Sequence, residues 1–123
     1  MSIPTEIRGN ILVVRPEGSL NKLTAHDLTE LLKSEISVGF HKIVFDCSRL
    51  VQISSDGLRV ILNTFRDLKA LDGDLVVSSL SNQIESALKI TGMLKIINSF
   101  EDVDTAVRYL EKQADAAEYG DPQ

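Results

Sequence analysis

The sequence predicts a single α/β domain built on a mixed, mostly parallel β-sheet of about five strands with about four helices. Short apolar runs typical of buried strands alternate with segments in which apolar residues recur every three to four positions, as in a helix packed on a core. Strands that are joined by helices pair in parallel, and a hairpin at the start of the chain makes the sheet mixed. The 123 residues are an ordinary length for one domain.

The opening segment predicts a β-hairpin followed by a helix. Two strands are expected within residues 5–15, with the turn at residues 8–10. Thr24 is expected to cap the first helix, because Asp27 follows it at capping-box spacing. Gly39 then provides a stop signal after the last apolar position of that helix.

The middle of the chain predicts two buried strands on either side of a long helix. The apolar runs Lys42–Asp46 and Asp74–Ser78 predict the strands, and residues 48–52 are expected to form a loop. The helix is expected over residues 55–71. Its core-facing stripe is formed by Leu58, Ile61, Leu62, Phe65, Leu68 and Leu71.

The last third of the chain predicts a short helix, a brief strand and a final helix. Ser81 is expected to cap the short helix, and Gly92 is expected to end it. Residues 95–98 predict the strand, and Ser99 with Asp102 forms a second capping pattern ahead of the final helix.

The apolar pattern fades near the end of the chain. We therefore expect the domain to occupy residues 1–112, and residues 113–123 to form a polar, disordered tail.

Composition favours a cytoplasmic protein that neither inserts into a membrane nor binds nucleic acid. The net charge of −5 opposes binding to a phosphate backbone. No apolar run reaches the roughly 18 residues of a membrane span, and the first residues lack the layout of a signal peptide. The single cysteine, Cys47, excludes an internal disulfide and is expected to be a small buried side chain.

No pattern of residues predicts a metal site, a nucleotide cradle or a catalytic centre. The two histidines are far apart and lack partners at metal-ligand spacing, and neither G-x-x-x-x-G-K-[ST] nor G-x-G-x-x-G occurs. Ser54 and Ser55 follow a strand, as a hydrolase nucleophile does, but the flanking glycines of that motif are missing. Asp46 and Asp56 are no better as an acid and base pair, because a strand end and a helix dipole explain them. We expect neither a cofactor nor an enzymatic activity.

The most informative segment is the turn that carries Ser54, Ser55 and Asp56 at the start of the long helix. Exposed backbone N–H groups and the positive end of the helix dipole make such a place favourable for a phosphate. A serine there can be a simple helix cap or a phosphorylation site, and both interpretations stay open for Ser55.

Four segments of the chain share the order and spacing of a known family. An apolar strand, a serine-rich turn and a helix beginning Gly-Leu form the central motif, and secondary matches flank it; the segments are residues 18–25, 43–62, 73–77 and 91–97. Over nearly its whole length, from about Ile7 to Leu110, the chain resembles the STAS domain family of bacterial anti-sigma-factor antagonists. The resemblance implies a single STAS-like domain.

The same resemblance implies a binding switch that is not an enzyme. An antagonist of this family binds a serine kinase of the GHKL ATPase type, an anti-sigma factor that also holds a sigma factor inactive. The kinase releases the antagonist by phosphorylating a turn serine, which corresponds here to Ser55, and a phosphatase of the PP2C type resets it. Ser54 is a competing acceptor one residue away.

Two acidic positions of the family pattern differ in this chain. The leading aspartate of the turn is Ser54, and the acidic residue of the earlier Gly-x-Leu-Asp segment is Asn21, whereas Asp56 occupies the second serine position. These departures rearrange the charges around Ser55 without altering the fold signals.

The partner-binding surface is expected to combine residues 19–24, residues 54–59 and the exposed side of the following helix. Its members are expected to be Asn21, Thr24, Ser54, Asp56, Gly57, Arg59, Asn63 and Met93, and Arg66 also lies off the apolar stripe.

Two other functions stay open at this stage. The first is a non-phosphorylated STAS module, which would act as a scaffold, a small-ligand sensor or the cytoplasmic subunit of a lipid or anion transporter. The second is an enzyme, for which the sequence offers little. The oligomeric state is also open, because an edge strand permits either a monomer or a dimer.

Overall fold

The computed structural model describes residues 3–119, with side chains described through residue 113. Its strands are β1 (Thr5–Arg8), β2 (Ile11–Val14), β3 (Gly18–Leu20), β4 (Lys42–Asp46), β5 (Leu50–Ile53), β6 (Asp74–Ser78) and β7 (Ser99–Phe100). Its helices are α1 (Lys22–Ser37), α2 (Ser55–Ala70), α3 (Asn82–Ile90) and α4 (Val103–Tyr119), with a 3₁₀ turn at Met93–Lys95.

The five-stranded sheet has the order β1-β2-β4-β6-β7. Strand β1 is antiparallel to β2, and the other neighbours pair in parallel. The predicted fold class is therefore confirmed, because a mixed, mostly parallel sheet carries helices on both faces.

Two apolar layers sandwich the sheet. One face packs against α1, α2 and α3, and the buried side chains of this layer include Phe45, Leu28, Phe65 and Leu88. The opposite face packs against α4 through a smaller cluster formed by Ile11, Val13, Val44, Val76, Ala106, Val107 and Leu110. Alternate residues of each strand point to opposite layers, so that the central strands are buried on both faces.

A second, two-stranded parallel sheet is formed by β3 and β5. Strand β3 leads into α1, and β5 leads into α2. Because the two strands run in parallel, both helices begin at the same end of this small sheet. The pair thereby places the first turn of α2 beside the segment that enters α1.

Strand β5 corrects the prediction of a loop over residues 48–52. Leu50 is buried, Val51 and Gln52 are exposed, and Ile53 is half-buried. This pattern does not alternate, and the segment becomes a strand only because it pairs with β3, which lies far away in sequence.

The strand predicted over residues 95–98 is also wrong. Gly92 adopts the left-handed conformation with φ of 80°, and the chain continues from it into the 3₁₀ turn. The N–H groups of Ile96 and Ile97 both donate to the Met93 carbonyl oxygen, at 3.0 and 2.8 Å, so these residues continue the turn and do not extend the sheet. The edge strand forms only at β7, where Phe100 pairs beside Ser78.

Two predicted helix caps are displaced in the structure. Asn21, and not Thr24, is the N-cap of α1, whereas Thr24 supplies the reciprocal hydrogen bond of the capping box. At α4 the carboxylate of Asp102 accepts a hydrogen bond from the Thr105 N–H at 2.8 Å, whereas Ser99 lies within β7. In both cases a cap former lies near the predicted one, and the backbone path selects between them.

The remaining predicted elements agree with the structure. The hairpin, strands β4 and β6, the start of α2 and the Ser81 cap of α3 are confirmed.

Helix α4 runs to Tyr119, past the boundary expected at residue 112, and residues 120–123 of the predicted tail lie outside the described residues. Over the part of the chain that the structure describes, no helix is long and apolar enough to cross a bilayer.

Cys47 is buried at 1 % exposure directly after β4, as the sequence predicts. Burial, reinforced by the nearby charge of Asp46, raises the pKa of its thiol from 9.0 to about 12. We therefore expect the thiol of the folded protein to react about a thousandfold more slowly than an ordinary cysteine at pH 8, because the thiolate is the nucleophile. Mixing with a chromogenic disulfide, with and without urea, measures this difference. Equal rates in both solutions would contradict the predicted burial.

Candidate functional site

Ser54 is the N-cap of α2 and its hydroxyl is already engaged. Its Oγ donates a hydrogen bond to the Leu20 carbonyl oxygen at 3.1 Å and accepts one from the Gly57 N–H at 3.4 Å. The Ser54 N–H donates to the same Leu20 oxygen at 2.9 Å. This half-buried serine therefore ties the first turn of α2 to the end of β3.

Ser55 has a different environment, although it follows directly. It is the first residue of α2 and is exposed. Among the described residues, its hydroxyl has no hydrogen-bond partner, in contrast with the doubly bonded Ser54. A modification of Ser55 can therefore proceed without breaking any contact that holds the fold.

Asp56 and Arg59 form an ion pair on the surface of α2. The Arg59 Nη1 atom lies 3.2 Å from Asp56 Oδ1, and the two side chains are 64 % and 39 % exposed. Asp56 also lies in the first turn of the helix, where a negative charge is favourable. Solvent screens this pair, so it does not lock Arg59 in one conformation.

Gly57 is required by close packing at the third position of α2. A Cβ atom there would lie 2.8 Å from Ile53 Cγ1 and from Leu20 Cγ, and 2.9 Å from the Leu20 carbonyl oxygen. No ordinary side chain fits this space. The missing side chain lets α2 begin directly against β3 and β5.

The segment before α1 is held by its own hydrogen bonds. The Asn21 side chain accepts hydrogen bonds from the Leu23 and Thr24 N–H groups, each at 3.1 Å. Thr24 Oγ1 accepts from the Asn21 N–H at 2.9 Å and donates to the Ser19 carbonyl oxygen at 2.8 Å. The polar side chains predicted here as partner contacts thus also form a rigid capping box.

Most of the predicted site residues divide among three depressions around the start of α2, but Thr24 and Gly57 line none of the three. A groove of about 440 Å³ between α2 and the 3₁₀ turn is lined by Ser55, Leu58, Arg59, Leu62, Arg66, Thr91, Gly92, Met93 and Ile96. We call it the Ser55 groove. A depression of about 380 Å³ contains Asn21 and Ser54, and one of about 540 Å³ between α1 and α2 contains Asp56, Asn63 and again Arg59. Ser54 and Ser55 therefore face different surfaces.

Sequence reasoning missed the apolar lining of the Ser55 groove. Leu58 and Leu62 pack against the core, as the stripe predicts, but both are only half-buried and also line this groove. Ile96 is 52 % exposed there. Helical spacing could not separate these residues from the core, because the groove and the core lie on adjoining sides of α2. Leu71, the last residue assigned to the stripe, is 46 % exposed and corrects that prediction.

The arrangement offers binding surfaces and few catalytic groups. No histidine, cysteine or lysine is among the described residues that line the Ser55 groove, so a base that could activate the Ser55 hydroxyl is lacking there. Within the described range, no three His, Cys, Asp or Glu side chains are grouped to hold a metal. Asp46 is engaged in an ion pair with Arg15 at 2.9 Å.

Comparisons with known proteins agree with this architecture. The sequence model of the STAS domain family matches residues 2–106. A Bordetella bronchiseptica protein, named as a candidate anti-sigma factor antagonist (BtrV), is 33 % identical over 86 residues, which are 70 % of this chain and 74 % of that protein.

Solved structures show the same fold. A candidate anti-sigma factor antagonist from Thermotoga maritima superposes with a TM-score of 0.85 at 23 % identity, over 89 % of this chain and 94 % of that one. The Bacillus cell fate determinant SpoIIAA in its phosphorylated form superposes with a TM-score of 0.71 at 18 % identity, over 88 % and 98 %. On the strength of the family match and the Bordetella relative, this chain belongs to the STAS domain family, and within it to the anti-sigma factor antagonists.

Proposed function

We propose that this protein is a phosphorylation-controlled binding switch whose acceptor is Ser55. In its unmodified form it binds a serine-kinase anti-sigma factor of the GHKL ATPase type. Phosphorylation of Ser55 by that kinase releases it, and a PP2C-type phosphatase restores binding. The protein itself performs no catalysis. The family membership supports a partner switch in outline, and the environment of Ser55 supports the choice of acceptor.

The single observation that carries this proposal is the difference between the two adjacent serines. Ser55 is exposed and has no hydrogen-bond partner among the described residues. The Ser54 hydroxyl, in contrast, donates a hydrogen bond to the Leu20 carbonyl oxygen and accepts one from the Gly57 N–H of α2. A kinase must reach the acceptor oxygen without dismantling the fold. Ser55 meets this condition, and Ser54 does not.

Charge and packing explain how such a phosphate would release a partner. A phosphate adds a charge of about −1.5 to −2 at neutral pH. At Ser55 it would lie at the edge of a groove whose accessible apolar members are Leu58, Leu62 and Ile96. Met93, also expected as a contact, is only 5 % exposed and belongs to the core. A partner packed against this groove would have to remove water from a phosphate whose charge exceeds that of any single neighbouring cation, which is costly. Loss of binding follows.

We expect phosphosite mapping of the protein recovered from its own cells to find one phosphate, on Ser55. Ser55→Ala should abolish it and leave the protein bound to its kinase when ATP is added. Ser54→Ala is the matched control: it should remain phosphorylated on Ser55, although it loses about 1 kcal/mol of stability with the N-cap.

Two results would overturn the proposal. A phosphate on Ser54 would still indicate a phosphorylation switch, but it would show that Ser55 is not the acceptor. A protein that is unphosphorylated under all growth conditions and is isolated with a transporter ATPase, unaffected by changing both serines, would instead support a scaffold or transporter subunit.

A further inference from the structure

Ser55 and Arg59 are one helical turn apart on α2 and line the same groove. Side chains at positions i and i+4 of a helix are neighbours, with Cβ atoms about 5–6 Å apart. The Arg59 side chain is 64 % exposed, and its Nη1 atom lies 3.2 Å from Asp56 Oδ1. An exposed pair of this kind contributes little, so the guanidinium can exchange one anion for another.

We propose that Arg59 pairs with the phosphate on Ser55 and exchanges Asp56 for it. The inference rests on the proposed function, since it concerns the phosphorylated form. A phosphate carries up to twice the charge of the Asp56 carboxylate and offers three acceptor oxygens, and a guanidinium can bind two of them at once. Arg59 thereby acts as a positioning residue, which fixes the phosphate over the end of the groove.

The other charges around Ser55 are few and do not substitute for Arg59. Asp56 repels a phosphate from the adjacent position. Lys22 and His26 face Asp56 and Arg59 from α1, in the depression that Ser55 does not line. Across the Ser55 groove, the lining residues of the 3₁₀ turn are uncharged. Arg66 lines the groove too, but eleven residues along α2 place it about 16 Å further up the helix axis.

This exchange would change the surface of the phosphorylated protein in two places, at the phosphate and at Asp56. With Arg59 on the phosphate, the pair at the first turn of α2 keeps a net charge of about −0.5 to −1, and the Asp56 carboxylate is released to solvent. A partner then meets both a filled groove end and a newly unpaired carboxylate. Release therefore does not depend on the phosphate charge alone.

The test uses the full chain with phosphoserine inserted at position 55 during synthesis, which requires no kinase. A ³¹P NMR titration gives the second pKa of the phosphate, which lies near 6 in an unperturbed phosphoserine. A paired guanidinium stabilises the dianion, so Arg59→Ala should raise this pKa by roughly half a unit. In Arg59→Lys the phosphate pKa should lie between those of the parent and of Arg59→Ala, because a lysine retains the charge but not the planar fork.

Arg66→Ala is the matched control, because it removes the same charge from the same groove at a distance too great for contact. It should leave the phosphate pKa within about 0.1 unit of the parent, because the intervening solvent screens it. An unchanged pKa in Arg59→Ala, or an equal shift in Arg66→Ala, would overturn the pairing. Absence of phosphate on Ser55 in cells would overturn the proposed function instead, and the titration would not detect that failure.

Discussion

Gly57→Ala is expected to destabilise the protein by about 2–3 kcal/mol, although alanine favours a helix over glycine. The added Cβ would lie 2.9 Å from the Leu20 carbonyl oxygen, and Leu20 itself is buried in the core at 2 % exposure. Neither the backbone of β3 nor its buried side chain can give way cheaply. The first turn of α2 must therefore move, and the Ser54 hydrogen bonds to Leu20 must weaken.

Urea unfolding, followed by circular dichroism, measures this loss. Ser55→Ala, two positions earlier, is the control and should change the free energy of unfolding by less than about 0.5 kcal/mol, because Ser55 is exposed. The Gly57→Ala protein should also bind the partner kinase weakly, since Ser55 moves with the helix. A Gly57→Ala protein as stable as its parent would show that α2 does not begin in close contact with β3.

The start of α2 shows how much of this site is predictable. The stripe that includes Ile61, Phe65 and Leu68 marks the helix, because burial on one face imposes a period that the sequence displays directly. The place of Ser54 and Ser55 at its N-terminus follows from the same pattern. Which of the two serines has a free hydroxyl does not follow, because that depends on Leu20, which is distant in sequence and approaches only in the fold.

The errors in the predicted elements share one physical cause. Strand β5 exists because β3 lies beside it. Val51 and Gln52 are adjacent and both exposed, so the segment lacks the alternation of buried and exposed residues by which a strand is recognised in a sequence. Conversely, residues 95–98 contain strand-forming isoleucines, but the left-handed turn at Gly92 directs the chain into a 3₁₀ turn first. Strand propensity is a local property, whereas strand formation requires a partner.

The sequence likewise does not predict how the expected contact residues divide among the three depressions. Asn63 and Arg66 are three residues apart on α2 and both lie off the apolar stripe, yet they line different grooves. The grooves are separated by what packs on each side of α2, which is α1 on one side and the 3₁₀ turn on the other. Helical spacing gives the angle between two residues but not the neighbour that each one faces.

Arg15→Met is expected to cost about 2–4 kcal/mol of unfolding free energy at neutral pH, because it strands a buried carboxylate. Asp46 ends β4 with its side chain only 7 % exposed, and the Arg15 Nε atom lies 2.9 Å from its Oδ2. Its other oxygen accepts a hydrogen bond from the Ser48 N–H at 3.0 Å, which limits the loss but does not neutralise the charge. Arg15 also binds Glu6 at 2.7 Å, so two carboxylates share this cation.

Arg49→Met is the matched control for exposure. Arg49 pairs with Glu17 at 3.1 Å, but these side chains are 70 % and 46 % exposed, and their loss should cost less than about 0.5 kcal/mol. Equal effects of Arg15→Met and Arg49→Met in urea unfolding would show that burial of Asp46 carries no penalty.

The double variant Arg15→Met/Asp46→Leu should recover most of the stability that Arg15→Met loses. It removes the buried charge together with its partner, and apolar replacement of a buried ion pair is often neutral or stabilising. Glu6 keeps a cation in this variant, because Arg8 binds it from the same strand at 2.6 Å. Recovery would identify Asp46 as a charge that the fold must neutralise at the end of a central strand. An ion pair that the fold requires accounts for this buried carboxylate without a catalytic role, which agrees with the proposed function.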